Sequence, residues 1–155
     1  MHPTESGWIE LKAADGTTMR VFTARPEGLD RAPGLIVFQE IFGVNGHIQE
    51  VCEGFARQGY VVAAPELFHR TAPGFQCPYT DFAVGRAEAA QMTLEGLEAD
   101  LKALAGWFNA DRQASGLALG AVGYCMGGRI SFLANTILAL ACAISYYGGT
   151  IPNHL

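Results

Sequence analysis

Gly123-Tyr124-Cys125-Met126-Gly127-Gly128 places a thiol between glycines two positions to either side, at the junction of a β-rich apolar run and a helical one. That spacing is the nucleophile elbow pattern, with cysteine at the position more often held by serine. A turn this tight brings neighbouring backbone against any Cβ, so both flanks need glycine. It also holds the nucleophile in a strained conformation that lifts its side chain clear of a sheet. The chemistry open to such a thiol is covalent attack on an ester or lactone carbonyl, giving an acyl-enzyme. A helix starting near Met126 sets backbone N–H groups and a positive dipole end beside the sulfur, which favours thiolate over thiol. The Met126 N–H then forms half of an oxyanion hole, and the other half is expected from the loop after the first parallel strand, at Ile41. The competing reading of Cys125 is a small buried hydrophobe, as most free cysteines are. The strand before it, the paired glycines and the amphipathic helix after it favour the nucleophile.

The other cysteines lack that setting. Cys52 and Cys142 read as core thiols, and Cys77, in a proline-bearing stretch, as an incidental surface thiol. The four cysteines and four histidines are widely spaced with no CxxC pair, so neither a metal site nor a disulfide framework is indicated, and no cofactor is expected. The net charge is -5, and the 10 lysines and arginines are scattered without a run that could track a phosphate backbone. Nucleic acid is therefore not an expected partner. No apolar stretch reaches the roughly 18 residues of a membrane span. The N-terminal region carries Glu5, Glu10 and Asp15 in place of a basic start and an apolar core, so no secretory signal is visible and a cytoplasmic location is the default.

The elements that must position the thiol follow from periodicity. Trp8 to Ala13 alternates, Asp15-Gly16 supplies a turn and Thr17 to Thr23 returns, which predicts an N-terminal hairpin. Gly34 to Phe38 is a continuous apolar run, the mark of a strand covered on both faces. A loop follows, with Asn45 as a helix cap; Ile48, Val51, Cys52 and Phe55 then repeat at helical spacing up to Gly59, and Tyr60 to Ala64 is a second buried strand. This strand, helix and strand make a parallel crossover. Glu66 to Phe82, with Pro73, Gly74 and Pro78, reads as a surface excursion without periodicity. Leu94, Leu97, Leu101, Leu104 and Phe108 predict one helix face, and Ala118 to Gly123 a third buried strand entering the turn at Cys125. Beyond it, Ile130, Leu133, Ala134 and Ile137 mark a helix, and a buried strand is expected from about Ala141 to Tyr147. The alternation predicts a doubly wound α/β sheet in one globular domain over residues 1–155.

Four segments taken in order, Gln39-Glu40-Ile41-Phe42-Gly43-Val44-Asn45, Ala64-Pro65-Glu66-Leu67-Phe68, the cysteine elbow and Tyr146-Tyr147-Gly148, together resemble dienelactone hydrolase. The resemblance implies a three-layer, mostly parallel sheet of α/β-hydrolase type. It also implies hydrolysis of a carboxylate-bearing unsaturated lactone in the breakdown of chloroaromatic compounds, while many relatives act on other esters. It makes Cys125 the nucleophile, Glu40 the carboxylate that contacts and activates the resting thiol, and the Ile41 and Met126 amides the oxyanion hole. The alternative for Glu40 is a solvated loop charge. Arg86 is the candidate to bind the substrate carboxylate, against the reading of a plain surface arginine. The family's triad ends with an Asp and then a His beyond the Tyr-Tyr-Gly strand, and the sequence reaches Leu155 before either position. His2, His47, His69 and His154 are not placed by the motif as the base. The expectation is therefore a fold lacking the last strands and helix, either as a fragment or with the gap filled by another chain. Its final strand would be an open edge prone to self-association. Two function classes follow: a hydrolase of small esters or lactones, and a catalytically silent binding scaffold that keeps the elbow but lacks the base.

Overall fold

The computed structural model describes residues 1–149 and 151 of the chain. Strands β1 (Thr4–Lys12) and β2 (Thr18–Pro26) form an antiparallel hairpin. Its turn is closed by the Asp15 carboxylate, which accepts from the Thr17 N–H at 3.0 Å and the Thr17 hydroxyl at 2.6 Å. Those donors, with the Arg70 guanidinium, hold the Asp15 carboxyl well below the usual carboxylate range. Next, β3 (Gly34–Phe38), α1 (Gly46–Arg57) and β4 (Val61–Pro65) make the expected parallel crossover. The Asn45 side chain caps α1 by accepting the Ile48 N–H at 3.2 Å. The chain continues through α2 (Phe82–Ala89), α3 (Leu94–Ala110), β5 (Leu119–Tyr124), α4 (Met126–Ile137) and β6 (Cys142–Tyr146).

The six strands lie in the order β1-β2-β4-β3-β5-β6, with the β1-β2 and β2-β4 pairings antiparallel and the others parallel. Side chains alternate across each strand, and this sorts the apolar runs to both faces. Leu35, Val37, Val62, Ala64 and Val122 pack with Ile48, Cys52 and Ala56 of α1. On the opposite face Ile36, Phe38, Val61, Ala63 and Ala121 pack with Leu97, Leu101, Leu104 and Phe108 of α3 and with Ile130 and Ala134 of α4. The result is the three-layer α/β architecture expected from the sequence. Among the described residues no helix is long and apolar enough to cross a membrane.

Several local expectations are corrected. The strand expected to be buried, β6, lies at the sheet edge and is mostly exposed, with Ile144 at 46% and Tyr146 at 50%. Among the described residues it pairs with β5 alone, and α1 packs over β2 and β4, so that none of them covers the β6 end of that face. For the same reason Cys142, read as a core thiol, is exposed. Leu94 caps the apolar stripe of α3 in sequence, yet it is 62% exposed at the helix start.

The excursion from Glu66 begins inside the protein: Glu66, Leu67, Phe68 and His69 are all buried. His69 Nε2 lies 3.0 Å from Asp100 Oδ1, and Arg70 donates to both Asp100 oxygens at 2.9 Å. Arg70 also donates from Nε to Asp15 at 2.8 Å. This network ties the hairpin turn to α3, and paired charges tolerate burial that isolated ones do not. Partners 31 and 55 residues distant leave no periodic signal. Helix α2 was not anticipated either, because Gly85 is its only fully buried residue and it shows no apolar stripe.

The difference between Leu101, fully buried, and Leu94 is measurable. Leu101→Ala should lower unfolding free energy by about 2–5 kcal/mol in urea titrations, whereas Leu94→Ala should change it by less than about 0.5 kcal/mol.

Candidate active site

Strand β5 ends at Tyr124 and α4 starts at Met126, which leaves one residue for the reversal. That residue, Cys125, has φ 55 and ψ -119, in the left-handed half of backbone space where a side chain costs roughly 1–3 kcal/mol. The conformation is held from both sides. The Cys125 carbonyl accepts the Gly128 N–H at 3.0 Å, and the Cys125 N–H donates to the Tyr146 carbonyl at 3.1 Å. A Cβ on Gly123 would fall on the Gly127 carbonyl, and one on Gly127 would lie 2.5 Å from the Gln39 carbonyl oxygen and collide with that of Phe38. The glycines inferred from sequence are thus required by backbone packing, at the point where α4 meets the end of β3.

This geometry leaves Cys125 half-buried. Cys52, by contrast, is sealed in the core, where burial pushes its thiol pKa far up and leaves it inert. Cys77 is partly buried, with its pKa also raised, first by burial and then by the Asp81 charge.

The loop after β3 passes beside the elbow. Gln39, 1% exposed, fixes it by accepting the Leu67 N–H at 3.2 Å and donating to the Glu40 carbonyl at 3.2 Å. Glu40 is half-buried, and its Oε1 accepts from the Tyr147 hydroxyl at 3.3 Å. Among the described residues the carboxylate has no hydrogen bond to the Cys125 sulfur; its partner is this phenol. Tyr79 also faces Glu40, and its hydroxyl accepts from Asn45 Nδ2 at 3.3 Å. Both phenols have raised pKa values, by burial first and then, in part, by the negative charge of Glu40.

Ile41 and Met126 are both buried, and neither N–H donates to an acceptor among the described residues. Met126 is the first residue of α4, where helical N–H groups lack intrahelical acceptors. Contact between Gly127 and the Phe38–Gln39 carbonyls brings these two amide-bearing segments together. Helix α2 rests on the same loop, with Gly85 against the Ile41 carbonyl, so that a Cβ there would overlap it. Arg86, one residue on, is exposed and has no ion pair among the described residues.

Of the histidines, His69 is engaged by Asp100, and His47 is exposed at the start of α1. His154 lies outside the described residues. Tyr147 lies in the Tyr-Tyr-Gly motif, but no local pattern ties it to Glu40, and the relation of Tyr79 to Glu40 depends on how the 66–82 segment folds back. The described residues contain no cluster of metal-binding side chains.

The contact at Gly127 predicts a contrast in stability. Gly127→Ala should lower unfolding free energy by about 1–3 kcal/mol through overpacking. Gly106→Ala, in α3 with no atom within 4 Å of the added Cβ, should raise it by about 0.5–1 kcal/mol through helix propensity. Chemical denaturation of both variants checks this.

Comparison with known proteins gives the same picture. The model of the dienelactone hydrolase family matches residues 19–155. A carboxymethylenebutenolidase from Pseudomonas putida is 31% identical over 151 residues, covering 95% of this chain and 63% of its own. A protein from Synechocystis sp., provisionally named a carboxymethylenebutenolidase, is 35% identical over 134 residues, or 85% of this chain and 54% of the relative. A crystal structure from Klebsiella pneumoniae, provisionally named a dienelactone hydrolase, superposes with a TM-score of 0.84 at 32% identity, covering 95% of this chain and 61% of that one. The chain thus spans between 54% and 63% of the length of these relatives. With the family model matched over residues 19–155, the chain belongs to the dienelactone hydrolase family.

Proposed function

We propose that this protein contributes the nucleophile half of a carboxylic ester or lactone hydrolase, with Cys125 forming the acyl-enzyme. The observation that carries the reading is the left-handed Cys125 backbone at the β5–α4 junction, since a strained residue there is maintained only because the surrounding glycines and carbonyls over-determine it. A core thiol would not require that conformation.

In the first step the Cys125 proton passes to Glu40 and the thiolate attacks the substrate carbonyl carbon. The carbonyl oxygen becomes an oxyanion, stabilised by the Ile41 and Met126 N–H groups. Collapse re-forms the C=O bond and breaks the bond to the alkoxide, which leaves with the proton from Glu40. Water then cleaves the thioester, returning thiol and carboxylic acid. Loss of one oxyanion donor typically costs on the order of 100-fold or more in rate. No metal or cofactor enters these steps. Arg86 is assigned to the substrate carboxylate: it is exposed on the helix that rests against the Ile41 loop and has no ion pair among the described residues, so an anionic group seated near that loop would be within its electrostatic reach. The substrate class is a small carboxylate-bearing ester or lactone of the kind met in aromatic degradation, handled in the cytoplasm.

The second reading, an elbow-bearing scaffold without turnover, is favoured by the position of His69, whose imidazole is buried against Asp100 and Arg70. Water activation in the deacylation step needs a general base, and that imidazole is committed elsewhere. The two readings separate kinetically. With p-nitrophenyl acetate, the chain should release about one equivalent of p-nitrophenol in a burst and carry a single acetyl group on Cys125 by mass spectrometry, followed by slow turnover. Cys125→Ala should abolish both the burst and the adduct. An unchanged rate in that variant would overturn the nucleophile assignment, and the absence of any adduct on the parent chain would establish the scaffold.

A further inference from the structure

Tyr147 and Cys125 are the two non-glycine residues with positive φ among the described residues, at 42 and 55. They sit side by side: the Cys125 N–H donates to the carbonyl of Tyr146, one residue before the second strained position. A bulky aromatic residue in this region is a genuine outlier. Core packing does not account for it, because Tyr147 is 68% exposed. The conformation aims its phenol back across the elbow, where the hydroxyl donates to Glu40 Oε1 at 3.3 Å. Beyond it, a Cβ added at Gly148 would lie 2.5 Å from the Ser145 hydroxyl and 2.8 Å from the Arg129 nitrogen, so the position following Tyr147 has no room for a side chain.

We propose that Tyr147 is a positioning residue that acts through Glu40, its phenol fixing the orientation of the carboxylate at the elbow, with Tyr79 as the second restraint. The proposal rests on the reading of Glu40 as the group that takes the thiol proton. Tyr79 reaches the carboxylate from the segment after β4 and is itself held by Asn45, the cap of α1, so the two phenols converge from different parts of the chain. Burial and the nearby Glu40 charge keep both phenols protonated, and therefore donors, through the neutral range; for Tyr147 the Cys125 charge acts in the same direction. The titratable groups around Glu40 are thus Tyr79, Tyr147 and, across Tyr147, Cys125 and Tyr124.

A hydrogen bond to the charged form of a carboxylate lowers its pKa, and its loss raises it. The readout is the rate of Cys125 alkylation by iodoacetamide against pH, followed at the Cys125 peptide by mass spectrometry in the full chain. Glu40→Gln should remove an acidic inflection from this profile. Tyr147→Phe should move that inflection upward by about 0.5–1 pH unit, and Tyr79→Phe should move it in the same direction by less. Tyr60→Phe, on the α1 side of the sheet, should leave it in place. Circular dichroism melts of Tyr147→Phe should match the parent, because a merely structural hydroxyl would change the melt and not the inflection. If Glu40→Gln leaves the profile unaltered, the base reading fails and the proposal with it. If Glu40→Gln removes the inflection but Tyr147→Phe superimposes on the parent, the positioning role alone is overturned.

Discussion

The reversal between β5 and α4 is the constraint on which the rest of the site depends. One residue joins a strand to a helix, so the first turn of α4 is pressed against both the strand it left and the end of its parallel neighbour β3. Space for this exists only because Gly123 and Gly127 have no side chains. The compression has two effects: it tips Cys125 out of the sheet, and it brings the start of α4 against the loop that carries Glu40 and Ile41. The Cys125 thiol and the segments that carry the Glu40 carboxylate and the Ile41 and Met126 amides are thereby drawn together by backbone packing.

The same economy explains how the loop is held. Gln39 is buried and spends both ends of its amide on backbone, one on Leu67 and one on Glu40, which joins the ends of β3 and β4. Gly85 lets α2 settle on the Ile41 carbonyl. At the far end of β4, the His69, Arg70, Asp100 and Asp15 network anchors the start of the following segment to α3 and to the hairpin. The arc from Glu66 to Phe82, a featureless excursion in sequence, is therefore fastened at its origin and again where Gln76 and Cys77 donate to the Val44 and Phe42 carbonyls, which sets Tyr79 against Phe42 and towards Glu40.

Strand β6 contributes in a different way. Its side chains are largely exposed, yet its backbone supplies the carbonyl that receives the Cys125 N–H, and its end supplies the phenol on Glu40. That carbonyl couples the strand to the backbone geometry of Cys125.

Alternation and apolar runs were sufficient to read the hairpin, the crossover, the helix stripe of α3 and the elbow, because each depends on residues adjacent in sequence and on periods of 2 or 3.6. Cys125, Ile41 and Met126 could be named from the local elbow pattern, whereas Glu40 was named by the resemblance of its loop to dienelactone hydrolase. Burial at an edge is not local. Whether Cys142, Ile144 or Leu94 meets a neighbour depends on which element lies over it, and an apolar residue looks the same in sequence at a covered or an uncovered place. Nor could the sequence show that Tyr147 meets a carboxylate 107 positions earlier, that Tyr79 meets it from a third segment, or that His69 is spent on Asp100. The chain's pattern set the elements and the cysteine elbow, while the partners of each polar group came from tertiary packing, because contact between distant segments leaves no period in the sequence.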